Sequence, residues 1–153
     1  MKNKFTKGKD FIGLGVGAII LNKEGKFLLI KRGKKSQNEK EHWGFPGGAM
    51  DFGETFAQTI KREVKEELGI SIKPLVYLKP INHLIVSEKQ HWVAIPYICK
   101  LVSSKIHIKE PEKISEIGWF SIEEARLLKL STVAVDAFKQ LQDNYSELTD
   151  FFS

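Results

Sequence analysis

Three glutamates near the middle of the chain have the types and spacing that most directly indicate chemistry. Glu63, Glu66 and Glu67 stand at spacings i, i+3 and i+4, so on a helix they share one face. Glu63 and Glu67 are a like-charge pair near the C-terminal end of that helix, where the helix dipole disfavours anions. Such a cluster needs positive compensation, and a hard divalent cation with oxygen ligands, Mg²⁺ above all, is the simplest candidate.

The alternative is a solvated helix surface, which is the ordinary role of glutamates on a helix. When residues 54–68 are drawn at about 100° per residue, the apolar residues form one stripe about 120° wide. The glutamate face overlaps the edge of this stripe, which consists of Phe56, Ala57, Ile60, Val64 and Leu68. Partial burial of the carboxylates is therefore expected, and it raises the cost of their repulsion because less water screens them.

A glycine-rich loop comes before the helix at a fixed distance from the carboxylates. Pro46-Gly47-Gly48 lets backbone groups come close to a ligand, because no side chain projects from the glycines. Gly47 and Gly48 are therefore candidate substrate-binding residues. An ordinary turn into a helix is the alternative for this tripeptide.

Zinc is disfavoured as the metal, because the chain has a single cysteine, Cys99, and no histidine pair at helical spacing.

The elements around this segment are predicted from apolar patterning and cap residues. Apolar or β-branched stretches predict strands over residues 11–21, 26–32, 72–78, 81–87 and 91–101. Gly69 predicts the end of the helix over residues 54–68. Residues 33–41 are polar and lysine-rich, which predicts a solvent-facing loop.

Two further helices are predicted after the last strands. Ser121 and Glu124 form a capping-box pattern for a short helix to residue 128. Ser131 or Thr132 then opens a final helix. That helix is expected to bury one face, formed by Val135, Phe138 and Leu141.

Composition and charge bound the protein class. One α+β domain over residues 1–153 is expected, since 42% apolar residues and 12 glycines exclude a disordered or collagen-like chain. No apolar run reaches the roughly 18 residues of a membrane helix, so no membrane association is predicted. The lone Cys99 excludes an internal disulfide and favours a cytoplasmic location. The net charge of +5 suits an anionic ligand.

Residues 48–70 resemble the complete signature of the Nudix hydrolases. The signature is Gly-x5-Glu-x7-Arg-Glu-U-x-Glu-Glu-x-Gly-U, where U is aliphatic. Here Gly48, Glu54 and the run 62–70 (Arg-Glu-Val-Lys-Glu-Glu-Leu-Gly-Ile) match all nine constrained positions. The flanking pattern of strands and a C-terminal helix is similar to the family over nearly the whole chain.

This resemblance implies an α/β/α fold, in which a mixed β-sheet is sandwiched between helices. It also implies hydrolysis of a nucleoside diphosphate linked to a moiety X. By position, Glu63, Glu66, Glu67 and the backbone carbonyl of Gly48 would hold Mg²⁺ or Mn²⁺. Two further residues have supporting roles in the family: Arg62 would orient Glu63, and Glu54 would support the junction between loop and helix.

Which carboxylate activates the attacking water stays open. Glu63 is favoured, and Glu112 in a later loop is a second candidate and a candidate metal ligand. A solvent-exposed surface charge is the alternative interpretation of Glu112.

Candidate substrate-binding residues lie outside the signature. Arg32 resembles a family position that contacts substrate phosphate, with a solvated strand-end cation as the alternative. An aromatic face can stack on a nucleobase, so several residues are candidates for a base pocket, although each could instead be core. They are Trp43, Phe45, His83, His91 and Trp92.

The substrate is expected to be a nucleoside triphosphate, standard or damaged, cleaved to the monophosphate and pyrophosphate. Residues 110–113 and Gly118-Trp119-Phe120 resemble members with this activity. ADP-ribose or a dinucleoside polyphosphate is the alternative, although the proline expected for ADP-ribose hydrolases is absent at Ile85 and Val86.

A non-catalytic nucleotide-sensing domain is the alternative from another class. Such domains usually lack one of the glutamates, and none is missing here. No stable nucleic-acid partner is predicted, because the lysines are scattered rather than arranged in a stripe with aromatics. A homodimer stays open, because many relatives dimerise.

Overall fold

The structure is a computed structural model that describes residues 4–103 and 105–144. The domain predicted over residues 1–153 includes positions 1–3, 104 and 145–153, which lie outside the described residues. The strands and α-helices follow one another along the chain in this order: β1 (Gly13–Ile20), β2 (Phe27–Arg32), β3 (Trp43–Gly44), β4 (Gly47–Ala49), α1 (Phe56–Leu68), β5 (Ile72–Tyr77), β6 (Ile81–Ile85), β7 (Gln90–Leu101), β8 (Ile114–Phe120), α2 (Ile122–Ala125) and α3 (Thr132–Asp143).

The strands form two sheets that share no named strand. In the larger sheet the order is β4-β1-β7-β5, and β6 also pairs with β7. Strands β1 and β7 are parallel, while β4, β5 and β6 pair antiparallel, so this sheet is mixed. In the smaller sheet β2 lies between β3 and β8, and both pairs are antiparallel.

Two apolar cores lie on opposite sides of the strands, because successive side chains of a strand point to opposite faces. Leu28 and Ile30 of β2 pack in the core that contains helix α1, whereas Phe27 and Leu29 pack in the core that contains α3. Strand β1 divides its residues in the same way. This arrangement confirms the predicted α+β class and the mixed sheet with helices on both sides.

Helix α1 carries the glutamates, and both of its ends are fixed by local residues. Thr55 caps the N-terminus and forms a capping box with Gln58, so the helix begins two residues later than predicted. Gly69 adopts the left-handed conformation, with φ of 69°, and its N–H donates to the carbonyl of Lys65. The helix packs on β1, β4 and β5 through an apolar stripe that includes Ile60 and Val64.

Three predicted features differ from the structure. Strand β6 ends at Ile85, because a 3₁₀ turn over Val86–Glu88 leads directly into β7. Helix α2 has the predicted capping box but ends at Ala125 rather than at residue 128. In α3, Val135 is 39% exposed, and alanines fill the buried positions next to Phe138 and Leu141.

The predicted solvent-facing loop of residues 33–41 is also wrong in part. Asn38 is 6% exposed and Glu39 is 9% exposed, because long-range hydrogen bonds hold both side chains inside the protein. The lysines of the same loop do face solvent. Within the described residues, none of the helices has the length and apolar character needed to cross a membrane.

Candidate active site

A cavity lies where helix α1 and strands β1, β4 and β7 meet, and the loop of residues 33–41 forms another part of its wall. Strand β6, the start of β8 and the residues around the start of α3 also contribute. The structure therefore brings together many of the predicted site residues, which come from separate parts of the chain. Those that line the cavity are Arg32, Phe45, Gly47, Gly48, Glu63, Glu67, His83 and Trp92.

The two glycines of β4 are required by close approaches on different sides. A Cβ on Gly47 would collide with the backbone carbonyl of Val16 in the neighbouring strand β1. A Cβ on Gly48 would instead collide with the carboxylate of Glu63. Because Gly48 has no side chain, the carboxylate of Glu63 can lie directly against the backbone of β4.

Arg62 joins the carboxylates of α1 to the loop before it. Its Nε donates to Glu54 Oε2 at 2.6 Å and its Nη2 donates to Glu54 Oε1 at 2.8 Å. Its Nη1 donates to Glu63 Oε1 at 2.8 Å, and Nη2 donates to the carbonyl of Ala49 at 3.0 Å. The hydrogen bonds from Arg62 lower the pKa of Glu54 to about 2. The guanidinium thus fixes the position of Glu63 next to Gly48.

Burial and a neighbouring negative charge raise the pKa of two carboxyl groups in the cavity, Glu67 and Glu63. Glu67 is 8% exposed, and burial together with the charge of Glu63 raises its pKa well above the usual range. Glu110, in the loop before β8, raises it further. Burial also raises the pKa of Glu63, against the effect of Arg62. Glu67 Oε2 accepts a long hydrogen bond, 3.4 Å, from the backbone N–H of Gly47.

Two cations line the same cavity as Glu63 and Glu67. Arg32, at the end of β2, has a pKa lowered by burial, and the negative charges of Glu39 and Glu67 oppose that shift. Its Nη1 donates to the backbone carbonyl of Asn38 at 3.2 Å. Lys113 also lines the cavity, and its hydrogen bond to Glu110, at 3.1 Å, raises its pKa. Lys113 was not predicted from the sequence, because it lies in charged connecting sequence without a distinguishing pattern.

Some predicted residues lie outside the cavity. Glu66 is 53% exposed at its side chain and lies 3.4 Å from Arg62 Nη1. Glu112 is 67% exposed and pairs with Lys35 at 2.9 Å. Two of the aromatic candidates are also absent from the lining: Trp43 packs edge-on against Phe120, and His91 lies outside the wall.

A divalent cation fits the donors that the cavity presents. Among residues 4–103 and 105–144, no three His, Cys, Asp or Glu side chains are already gathered around one point. The buried carboxylate of Glu67 and the adjacent carboxylate of Glu63 nevertheless form an oxygen-only pair against the backbone of Gly48. Burial raises the pKa of both carboxyl groups, and a hard cation bound to them would favour their charged forms.

A buried polar network holds the loop of residues 33–41 against the cavity. Glu39 Oε1 accepts a hydrogen bond from His83 Nε2 at 2.5 Å. Glu39 Oε2 accepts hydrogen bonds from the backbone N–H and the hydroxyl of Thr132, each at 3.0 Å. Burial on its own raises the pKa of Glu39, but these hydrogen bonds outweigh it and lower the pKa to about 2.

A second group of hydrogen bonds fixes the same loop to strand β7. Gln90 Oε1 accepts hydrogen bonds from Asn38 Nδ2 at 3.2 Å and from Trp92 Nε1 at 2.8 Å. Gln90 Nε2 donates to the backbone carbonyl of Gln37 at 2.8 Å. Sequence patterning gave no indication of the two contacts between the loop and Gln90, because their partners lie 52 and 53 residues apart.

Known proteins with similar sequences and folds point to one family. The model of the NUDIX domain matches residues 12–142. The chain is 27% identical over 149 residues to an RNA pyrophosphohydrolase from Pelagibacter ubique, covering 88% of this chain and 91% of that protein. The crystal structure of a MutT NUDIX hydrolase from Burkholderia pseudomallei is similar with a TM-score of 0.75 and 33% identity, covering 84% of this chain and 97% of that one.

Some relatives are much longer than this chain. The chain is 29% identical over 115 residues to Nudix hydrolase 5 from Arabidopsis thaliana, which is 72% of this chain but 37% of that protein. It therefore spans only about a third of the length of such relatives.

Proposed function

Since the chain belongs to the Nudix family of hydrolases, we propose that it hydrolyses a pyrophosphate bond of a nucleoside triphosphate, with Mg²⁺ or Mn²⁺ as cofactor. The products are the nucleoside monophosphate and pyrophosphate. The observation that carries this proposal is one cavity lined both by two carboxylates that are largely shielded from solvent, Glu63 and Glu67, and by two cations, Arg32 and Lys113. A polyphosphate needs both, since its negative oxygens must be neutralised before a nucleophile can approach.

The carboxylates of helix α1 have two proposed roles, which are binding of the divalent ion and acceptance of a proton. Glu67 and Glu63, with the carbonyl of Gly48 and with Glu66, are the proposed ligands of the divalent ion. When bound, the ion neutralises phosphate charge and lowers the pKa of a coordinated water. Glu63 is the proposed acceptor of the proton of the attacking water, since Arg62 holds its carboxylate in a fixed position.

The cationic side of the cavity orients the substrate. Arg32 and Lys113 are placed to contact phosphate oxygens, and a guanidinium suits this because it can donate two parallel hydrogen bonds. Gly47 and Gly48 also line the cavity, so their backbone atoms are the proposed contacts of β4 with the substrate. Glu112 stays a weaker candidate, because its carboxylate is paired with Lys35 at the surface.

The 5′ polyphosphate of an RNA is a second candidate substrate. The observation in its favour is that several relatives carry the name RNA pyrophosphohydrolase, including one 32% identical over 124 residues from Pseudoalteromonas translucida. The same carboxylates and cations serve either substrate, because the bond that is cleaved is the same. ADP-ribose and dinucleoside polyphosphates complete the set of candidates.

A substrate panel with Mg²⁺ tests the proposal. The panel contains nucleoside triphosphates, a 5′-triphosphate RNA, ADP-ribose and a dinucleoside polyphosphate, with release of pyrophosphate and monophosphate measured separately. Pyrophosphate release from the mononucleotides is expected at the highest kcat/KM. Turnover of ADP-ribose or the dinucleotide alone would contradict the proposed substrate class, and a preference for the RNA would favour the second candidate.

The variant E67Q separates an enzyme from a nucleotide sensor. We expect E67Q to lower kcat/KM by more than about 100-fold while the protein stays folded, because it removes the buried charge that holds the ion. E116Q is the matched control, since Glu116 is an exposed glutamate that pairs with Lys31 away from the cavity. A wild-type protein that binds nucleotides without turnover would instead identify a sensor.

A further inference from the structure

A buried histidine–carboxylate pair forms part of the cavity wall, and the proposed hydrolytic chemistry on α1 does not use it. His83 is 4% exposed and yet lines the cavity. Its partner Glu39 belongs to the loop that the sequence predicted to face solvent, and it lies 44 residues away along the chain. The ring atoms that His83 offers to a ligand therefore depend on how Glu39 holds the imidazole.

The hydrogen bonds of Glu39 fix the tautomer of His83. One carboxylate oxygen is engaged by His83 Nε2, and the other is engaged by the N–H and hydroxyl of Thr132. An ionised carboxylate only accepts hydrogen bonds, so the ring nitrogen that contacts it must carry a proton. In the neutral imidazole the other nitrogen, Nδ1, is then an acceptor.

Nδ1 of His83 is available to a ligand. Among the described residues, Nδ1 has no hydrogen-bond partner. Every fully buried side-chain nitrogen or oxygen in that part of the chain has a partner, so Nδ1 is not fully buried. Nδ1 is therefore reachable from the cavity that the residue lines. It is an acceptor on a rigid, preoriented ring.

Apolar and aromatic side chains line the same cavity as this acceptor. Phe45, Trp92 and Val133 line the same cavity. Trp92 is itself held in place by its hydrogen bond to Gln90. Aromatic faces stack on any of the nucleobases. Discrimination between one base and another must therefore come from a polar group such as His83.

The protein maintains this arrangement at a cost. Glu39 is a buried charge, and its φ of 42° lies in the left-handed region that non-glycine residues rarely adopt. Such strain persists where the surrounding structure fixes it, and it concentrates at functional sites. A loop that needed only attachment to β6 would not require an ionised carboxylate beside a histidine.

On the basis of the proposed function, we propose that His83 is a specificity-determining residue that accepts a hydrogen bond from an N–H of the nucleobase. Glu39 is its positioning residue, because in the neutral imidazole its carboxylate holds the proton on Nε2 and leaves Nδ1 as the acceptor. The substrate class that follows is a nucleotide whose base enters the cavity, as opposed to a polyphosphate recognised by its phosphates alone.

The variant H83Q tests the role of Nδ1. The amide nitrogen of glutamine occupies the place of Nε2 and keeps the bond to Glu39, but no acceptor remains at the place of Nδ1. Calorimetry gives the Kd of each nucleoside monophosphate and of ribose 5-phosphate, which has no base, so the measurement needs no turnover. H91Q is the matched control, because His91 lies outside the cavity wall.

We expect H83Q to weaken binding of at least one nucleoside monophosphate by about 3- to 10-fold, the loss of one hydrogen bond, with ribose 5-phosphate and the midpoint of thermal unfolding unchanged. E39Q should weaken the same nucleotide, raising KM with kcat unchanged. Equal effects on both ligands, or no effect on either, would overturn the proposal. Because Kd is measured without turnover, a protein that bound nucleotides in this way but failed to hydrolyse them would contradict only the proposed function.

Discussion

At Glu67, burial and the neighbouring negative charge act in the same direction. Burial and the neighbouring Glu63 raise the pKa of this carboxyl, and the contact from Gly47 compensates only part of that effect. The result is a residue that favours its protonated form unless a cation is nearby. A divalent ion reverses this preference, so ion binding and deprotonation of Glu67 are linked.

This linkage predicts how stability depends on pH in the absence of divalent ions. Because the folded pKa of Glu67 is raised, the folded protein retains a proton that the unfolded chain releases above about pH 4.3. Wild-type stability should therefore fall as the pH rises from that value through the raised pKa. E67Q lacks this contribution. The free energy of unfolding of E67Q minus that of wild type should therefore increase with pH over the same range. Urea unfolding in EDTA measures the difference, and a pH-independent difference would contradict the prediction.

Individual residues differ in how far the sequence could identify them. Glu63 and Glu67 were identifiable, because helical spacing and the family signature are local properties. Glu39 was not, since its burial depends on Thr132, 93 residues away. A lysine-rich composition correctly indicated that the neighbouring side chains face solvent, but it concealed the one carboxylate that turns inward.

At the scale of elements, strand β4 is the part of the site whose geometry is fixed most tightly. It pairs with β1 on one side and lies against helix α1 on the other. Gly47 and Gly48 are adjacent, but one faces backbone atoms and the other faces the end of the Glu63 side chain. Their substitutions should therefore separate stability from activity.

We expect G47A to destabilise the protein by about 2 kcal/mol or more, because its Cβ meets the rigid carbonyl of Val16. G48A should leave the free energy of unfolding within about 1 kcal/mol of wild type, because the side chain of Glu63 can move aside. The same movement should lower kcat/KM by about 10- to 100-fold. Chemical denaturation and steady-state kinetics on both variants check this, and similar losses of stability in the two would argue against it.

The elements themselves were largely predictable, and their ends were less so. Helix α1 follows from its apolar stripe and Gly69, but its first residue depends on the cap of Thr55. Strand β6 ends early because of the 3₁₀ turn after Ile85, which no residue pattern indicated. The face of α3 was misassigned at Val135, since alanines rather than larger residues fill the tight contacts of that core.

At the scale of the whole molecule, two cores and two sheets hold the walls of one cavity. The side that contains α1 supplies the carboxylates, while the residues around the start of α3 and the loop of residues 33–41 supply the opposite wall. The two-sided arrangement could be expected from the resemblance, because the family fold is a sandwich. The assembly of Arg32, Lys113 and His83 around the same cavity required the tertiary structure.

A divalent ion should stabilise the folded molecule through this cavity. For Mg²⁺ or Mn²⁺ at 100 times its Kd, the expected gain is about 2.7 kcal/mol, because the unfolded chain has no assembled site. Thermal unfolding in EDTA and in each ion measures the gain. E67Q should lose most of it and E116Q should retain it; equal stabilisation of all three proteins would place the ion elsewhere.

The most direct test of the account is a crystal structure of the protein with Mn²⁺ and a non-hydrolysable nucleoside triphosphate, with the ion located by its anomalous scattering. We expect a manganese peak within coordination distance of the carboxylates of Glu63 and Glu67, with the phosphates between that ion and Arg32. A peak elsewhere, or phosphates bound while both carboxylates remain without an ion, would contradict the account.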